Sequence, residues 1–266
     1  STISTNLAVG LENLGFTTGL LDADIWGFSI PRLLGIEGRL EANKDKKIVP
    51  YKRGGLEVVS TGLITDDEDT ALMWRGLMLS KALEQFLFDV EWGNLDYLVI
   101  DLPPGTGDIQ MALGRLLPQT ELVVVTTPQL SAQKVATRVA DMAKRSFIPL
   151  LGVVENMSYF ESGDGNKYNI FGKGGGDELS EKFGIPLLSK IPISEDSIEE
   201  SENGTPILLQ NNKTPTKEAM QDLVNTIIKV LPPVSDETCT GRLAKVLEEL
   251  EAVSYTHLTL PTILLV

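Results

Sequence analysis

Asp101 closes an apolar run, Tyr97-Leu98-Val99-Ile100, and opens a turn rich in proline and glycine that ends on a second acid, Asp108. An apolar run of this length between turn residues reads as a buried parallel strand. Ligands of open α/β sheets bind beyond the carboxyl ends of the strands, so Asp101 stands where an acid could hold a cation. A plain turn aspartate is the other reading of those residues. Asp22 and Asp24 follow another apolar run, and alternation along a strand sends both to one side. Two solvated turn acids would look the same. Ser1 and Thr2 stand just ahead of an amphipathic helical segment. Their hydroxyls could cap that helix, or they could join its N-terminal N–H groups in meeting a phosphate. Asn156 ends a further strand-like run and carries a donor and an acceptor on one amide, the pair needed to read the edge of adenine. A turn-forming asparagine is the alternative.

These residues need a scaffold that brings strand ends together. Strand-like runs recur at 18–22, 56–60, 97–101, 122–126, 150–154 and 187–191. Helix-length segments fall at 2–14, 77–88, 132–145 and 177–183, with closing helices at 217–230 and 241–251. Alternating β and α of this kind predicts right-handed crossovers and an α/β fold, a doubly wound, mostly parallel sheet with helices on both faces. Residues 35–55 are charged and turn-rich and read as a surface excursion. The glycine run 173–176 reads as a flexible loop, and the acidic run from Glu195 to Glu202 as a solvated helix face.

Composition removes several classes of function. The chain has 266 residues and a formal net charge of −14, which argues against nonspecific binding to nucleic acid and against an anionic membrane surface. Its one cysteine, Cys239, allows no intramolecular disulfide and suits a reducing compartment. No run approaches the roughly 18 apolar residues of a membrane-spanning helix, and no signal peptide is visible. The expectation is a soluble cytoplasmic protein.

The segment from Trp92 to Asp108, with its Asp-Leu-Pro-Pro-Gly-Thr-Gly-Asp core, resembles the signature of the Mrp/ApbC family of P-loop ATPases, which carry iron–sulfur clusters. Further matches run in order along the chain: Asp22-Ala23-Asp24-Ile25-Trp26-Gly27, Trp74-Arg75-Gly76, Thr126-Thr127-Pro128-Gln129, Glu155-Asn156-Met157-Ser158 and Ile191-Pro192. Ser1 to Ala8 looks like the end of the family's glycine-rich loop and the start of its helix. The resemblance therefore implies that the first strand and the loop lysine precede Ser1, and that their loss leaves unpaired backbone and weak ATP binding. It implies ATP and Mg2+ as ligands. Ser1 would bind magnesium and Thr2 the inner phosphates, while Asp101 would hold magnesium directly or through a bound water. Asp22 would stand behind those ligands, and Asp24 would orient or activate the attacking water. Pro128, Asn156 and Pro192 would lie near the nucleotide, with Asn156 at the adenine.

Many of these relatives follow the Glu-Asn-Met-Ser-Tyr-Phe motif with a Cys-x-x-Cys pair, and two such pairs bridge a [4Fe-4S] cluster across a dimer. Here the motif continues through Glu161 to Tyr168 without cysteine, so no cluster ligands are identified in this chain. The family implies a homodimer that serves iron–sulfur client apoproteins and a cluster scaffold. A partitioning ATPase of the ParA/MinD type and a non-catalytic scaffold of the same fold are the rival readings. The expected organisation is one ATPase domain over 1–252. Residues 253–266, which hold the only histidine, His257, read as a non-native tail, with a C-terminal strand as the alternative.

Overall fold

In the computed structural model, residues 1–24, 27–63, 77–104, 107–233 and 261–266 are described. Along the chain run α1 (Thr2–Asn13), β1 (Thr18–Asp22), α2 (Ile30–Leu34), β2 (Glu41–Ala42), β3 (Ile48–Val49), β4 (Tyr51–Arg53) and β5 (Leu56–Ser60). Next come α3 (Leu77–Phe88), β6 (Tyr97–Asp101), α4 (Gly107–Leu116), β7 (Thr120–Thr126), α5 (Leu130–Arg145) and β8 (Leu150–Glu155). The chain closes with β9 (Phe160–Glu161), β10 (Lys167–Tyr168), α6 (Gly175–Phe183), β11 (Leu187–Lys190), α7 (Glu195–Glu202), α8 (Pro215–Val230) and β12 (Thr262–Leu265).

Eight strands form one sheet in the order β11-β8-β7-β12-β6-β1-β5-β4. Every pairing in it is parallel except β4 with β5. Strands buried on both faces must carry apolar residues at successive positions, as β6 does with Tyr97, Leu98, Val99 and Ile100. Alternation then divides them between two cores. Leu98 and Ile100 join Leu83, Phe86, Leu113 and Val139 from α3, α4 and α5. Tyr97 and Val99 join Leu7, Leu11, Leu223 and Ile227 from α1 and α8. This is the expected doubly wound α/β arrangement.

Helix α1 is buried on nearly every side from Ile3 to Leu11 because it lies between the sheet and α8. A Cβ on its Gly10 would lie 2.4 Å from Val224 Cγ2, so the two helices approach as closely as a glycine allows. Helix α8 begins at a proline, preceded by the N-cap Thr214, whose hydroxyl accepts from the Lys217 amide at 3.2 Å.

Three expectations change. The glycine run 173–176 is a loop only in its first half: Gly175 and Gly176 form the first turn of α6 and are buried. Helix α4 was not anticipated, because it starts at Gly107, inside the turn motif, and has Gly114 near its end. The third change concerns 253–266, expected to stand outside the domain. Residues 253–260 lie outside the described part, but Thr262–Leu265 form β12 between β6 and β7. Ile263, Leu264 and Leu265 are fully buried and reach both cores. Leu98 N donates to Pro261 O at 3.0 Å, and Val125 N to Val266 O at 2.7 Å. The unpaired backbone expected at the sheet centre is therefore satisfied. A short apolar segment with a β-branched isoleucine suits such a slot.

Candidate nucleotide site

Register is what assembles the acids. Strand β1 pairs with β5 and β6 so that Asp22 lies directly across from Ser60 on one side and from Asp101 on the other. All three end their strands at the same edge of the sheet. Helix α1 begins at this edge, and both of its first-turn serines point to Asp101. Ser1 Oγ donates to Asp101 Oδ2 at 2.6 Å, and Ser4 Oγ to Oδ1 at 2.5 Å. Ser60 Oγ donates to Asp22 Oδ2 at 3.0 Å. Thr2 sits in the same first turn, half-buried, its carbonyl accepting from Asn6 Nδ2.

Asp24 does not continue the strand as alternation implied. Strand β1 ends at Asp22, and the Asp24 amide donates back to Asp22 Oδ1 at 3.2 Å. Asp22 is thereby fully buried, while Asp24 stays half-exposed and accepts from the Gly27 amide at 3.1 Å. Ile25 and Trp26 of that segment, Gly105 and Thr106 of the acidic turn, and Trp74-Arg75-Gly76 lie outside the described residues.

Burial pushes the Asp22 carboxyl up from 3.8 to about 7, and the Asp101 carboxylate adds to the rise. Hydrogen bonds from Ser60 and from the Asp24 and Ile30 amides oppose it. A bound cation would relieve this strain. The donor set, two carboxylates and a hydroxyl, is all oxygen and so fits magnesium better than a softer metal. Among the described residues no group of three or more His, Cys, Asp or Glu side chains could hold a metal ion.

A stability consequence follows from Asp22. Its folded value exceeds its ordinary one, so between pH 3.8 and about 7 the folded chain keeps a proton that the unfolded chain has lost. Stability therefore falls as pH rises through that window, and the penalty is complete above it. In buffer free of divalent cations, Asp22→Asn should raise the urea midpoint near pH 8 and change it little near pH 4. Parallel pH profiles for the two proteins would contradict this origin.

The other expected contacts line the far half of the same edge. Thr126 and Glu155 are paired residues at the ends of β7 and β8. Pro128 follows β7, is buried, and its carbonyl accepts from Gln133 Nε2 at 2.8 Å. Asn156 is half-exposed; its amide donates to Thr126 O at 2.7 Å, and its Oδ1 accepts from the Met157 amide at 3.0 Å. Pro192 is buried, and its carbonyl accepts from Thr216 Oγ1 at 3.0 Å. Ser1 and Asp22 thus both adjoin Asp101, and the Asp24 amide bonds to Asp22. Pro128, Asn156 and Pro192 stand across β12 from that group. Sequence reasoning missed Ser4 and Ser60. The signals were there: Ser4 is one helical turn beyond Ser1, and Ser60 ends its strand as Asp22 does.

Comparison with known proteins places this geometry. The ParA family profile described as NUBPL iron-transfer P-loop NTPase matches residues 1–228. An iron–sulfur cluster carrier protein from Aquifex aeolicus is 43% identical over 233 residues, 87% of this chain and 64% of that protein. One from Saccharolobus solfataricus is 37% identical over 87% of this chain and 79% of its own length. The chain thus spans less than two thirds of the Aquifex relative. Among solved structures, a nucleotide-binding protein from Archaeoglobus fulgidus in complex with ADP is 34% identical, with a TM-score of 0.63 over 76% of this chain and 80% of that one. The cell division protein MinD from Aquifex aeolicus shares the fold at 20% identity and a TM-score of 0.60, covering 86% of this chain and 90% of that one. A profile match across most of the chain, supported by these identities, means that the chain belongs to the iron-transfer P-loop NTPases of the NUBPL and Mrp/ApbC type.

Proposed function

We propose that this chain is the nucleotide-binding part of an iron–sulfur cluster carrier that binds Mg·ATP, hydrolyses it, and works as a homodimer on client apoproteins and a cluster scaffold. The observation that carries the reading is the row Ser60–Asp22–Asp101, with Ser1 and Ser4 of the α1 N-terminus bonded to its last member. Backbone N–H groups at a helix start favour phosphate oxygens. Ser1, with Asp101 close behind it, would hold magnesium, which when bound neutralises charge on the phosphate oxygens. Asp22 would stand behind those ligands, across from Asp101 on the neighbouring strand. Asp24, the half-exposed member, would orient the water that attacks the terminal phosphorus. Pro128, Asn156 and Pro192 would enclose the adenine. Positioning and charge neutralisation are most of what phosphate transfer to water requires.

The relatives' names support cluster carriage, and among the described residues no helix is long and apolar enough to cross a membrane. The segment after Ser158 forms the β9–β10 hairpin without a thiol, and Cys239 lies outside the described residues. Two copies of the chain bring two cysteines to a cluster that normally takes four. Anaerobic reconstitution of this chain with iron and sulfide should therefore give little visible charge-transfer absorbance, unchanged by Cys239→Ser. A stoichiometric cluster lost in that variant would make Cys239 the ligand. The wider proposal is tested by magnesium-dependent ATP turnover of the purified full-length protein. Release of phosphate no faster than from a heat-denatured sample would leave the scaffold reading.

A further inference from the structure

Glu155 is a buried carboxylate that the nucleotide chemistry does not use. It ends β8 and is 1% exposed. Its two oxygens take separate donors: Ser158 Oγ at 2.5 Å on Oε1, and the Gly176 amide at 2.6 Å on Oε2. The first bond closes the turn 155–158, on which Asn156 is displayed and in which Met157 takes a left-handed backbone at φ +54°. The second reaches the first turn of α6, whose N-cap, Gly174, supplies no side-chain bond. A carboxylate there satisfies an otherwise open helix N–H and opposes the positive end of the helix.

The two glycines of that turn permit this contact. A Cβ on Gly176 would lie 2.8 Å from Glu155 Cβ and 2.9 Å from Leu187 Cδ1. One on Gly175 would lie 3.0 Å from Pro128 Cα and 2.5 Å from Gln133 Nε2. The start of α6 is therefore wedged between Pro128 on one side and Glu155 on the other. The Glu155 carbonyl accepts from the Ile191 amide at 2.8 Å, which ties in the residue preceding Pro192. One side chain and its own backbone thus hold the Asn156 turn and the Ile191 segment directly, and reach Pro128 through the start of α6.

We propose that Glu155 is the positioning residue for base recognition: it locks the Asn156 turn, the Pro128 loop and the start of α6 into one rigid wall. The proposal rests on the assignment of Asn156 and its neighbours to adenine. It implies that base selectivity depends on a residue that never touches the base. In Glu155→Gln the negative charge is removed, and the NH2 group can keep its contact only by donating to Ser158 Oγ, so neither bond is charge-assisted any longer.

The test is steady-state turnover of the full chain with ATP and with GTP, for the parent, Glu155→Gln and Ser158→Ala. Loss of the charge behind both bonds should raise KM for ATP roughly tenfold in Glu155→Gln, with kcat within about twofold and the preference for ATP over GTP reduced to match. Ser158→Ala, which leaves α6 held, should show a smaller shift in the same direction and keeps the proposal testable if the glutamine variant does not fold. A lower melting temperature with KM and base preference unmoved in both variants would reduce Glu155 to a structural role and overturn the proposal. Failure of the parent itself to bind either nucleotide would instead overturn the ATPase reading, and this proposal with it.

Discussion

In the full-length protein, Asp24→Asn should leave Mg·ATP affinity nearly unchanged and lower turnover by ~10²–10⁴-fold, the range typical for loss of a group that positions or activates the attacking water. The reasoning rests on how the three acids are held. Asp101 accepts from two serines and Asp22 from Ser60 and the Asp24 amide, so both carboxylates are committed to the interior. Asp24 is the acid left half-exposed at the mouth of the row. Asp101→Asn should behave in the opposite way. It replaces an acceptor of two hydroxyl bonds, and it removes the charge nearest the proposed magnesium ligand Ser1, so binding itself should weaken. Calorimetry with Mg·ATP beside single-turnover hydrolysis separates the two effects. Equal turnover by Asp24→Asn and the parent would remove Asp24 from the mechanism.

Leu264→Asp should unfold the domain or leave it barely stable. Strands β6 and β7 pair with β12 and not with each other, so this strand alone joins the three-stranded and four-stranded halves of the sheet. Leu264 is 0% exposed and packs into the core formed with α3, α4 and α5. An unpaired carboxylate there costs several kcal/mol beyond the ~2–5 kcal/mol of the lost leucine packing, set against a total stability of roughly 5–15 kcal/mol. Removal of residues 261–266 should do the same and expose apolar surface. It should also abolish nucleotide binding, because the acids lie on one side of β12 and Pro128, Asn156 and Pro192 on the other. Urea denaturation followed by circular dichroism, with dye binding as a probe of exposed core, measures both effects. An unchanged midpoint in either variant would show that the two halves are joined by something other than β12.

Much of this protein was legible from local pattern alone. The six apolar runs became strands at nearly the predicted bounds, because burial on both faces demands continuous apolar residues. Four acids or asparagines at run ends, Asp22, Asp24, Asp101 and Asn156, fell at the carboxyl edge of the sheet, where parallel topology puts every strand end. Helix α4 was hidden because it starts inside a turn rich in proline and glycine, and the first turn of α6 because three successive glycines suggest a loop until packing requires them.

What the sequence by itself determined was the set of elements, their order, and the residue types at their ends, since hydrophobic period and turn chemistry act within a few residues. Tertiary structure decided which ends meet. Pairing and register are set by burial and hydrogen bonds between segments tens of residues apart, and one residue of slip in β1 would separate Asp22 from both Ser60 and Asp101. The raised Asp22 carboxyl follows from that register and from a burial that its own sequence neighbours do not specify. The same holds for β12. Thr262–Leu265 carries the composition of a strand, but its place at the centre of the sheet was decided by the slot between β6 and β7, whose open backbone and apolar walls lie far away in the chain.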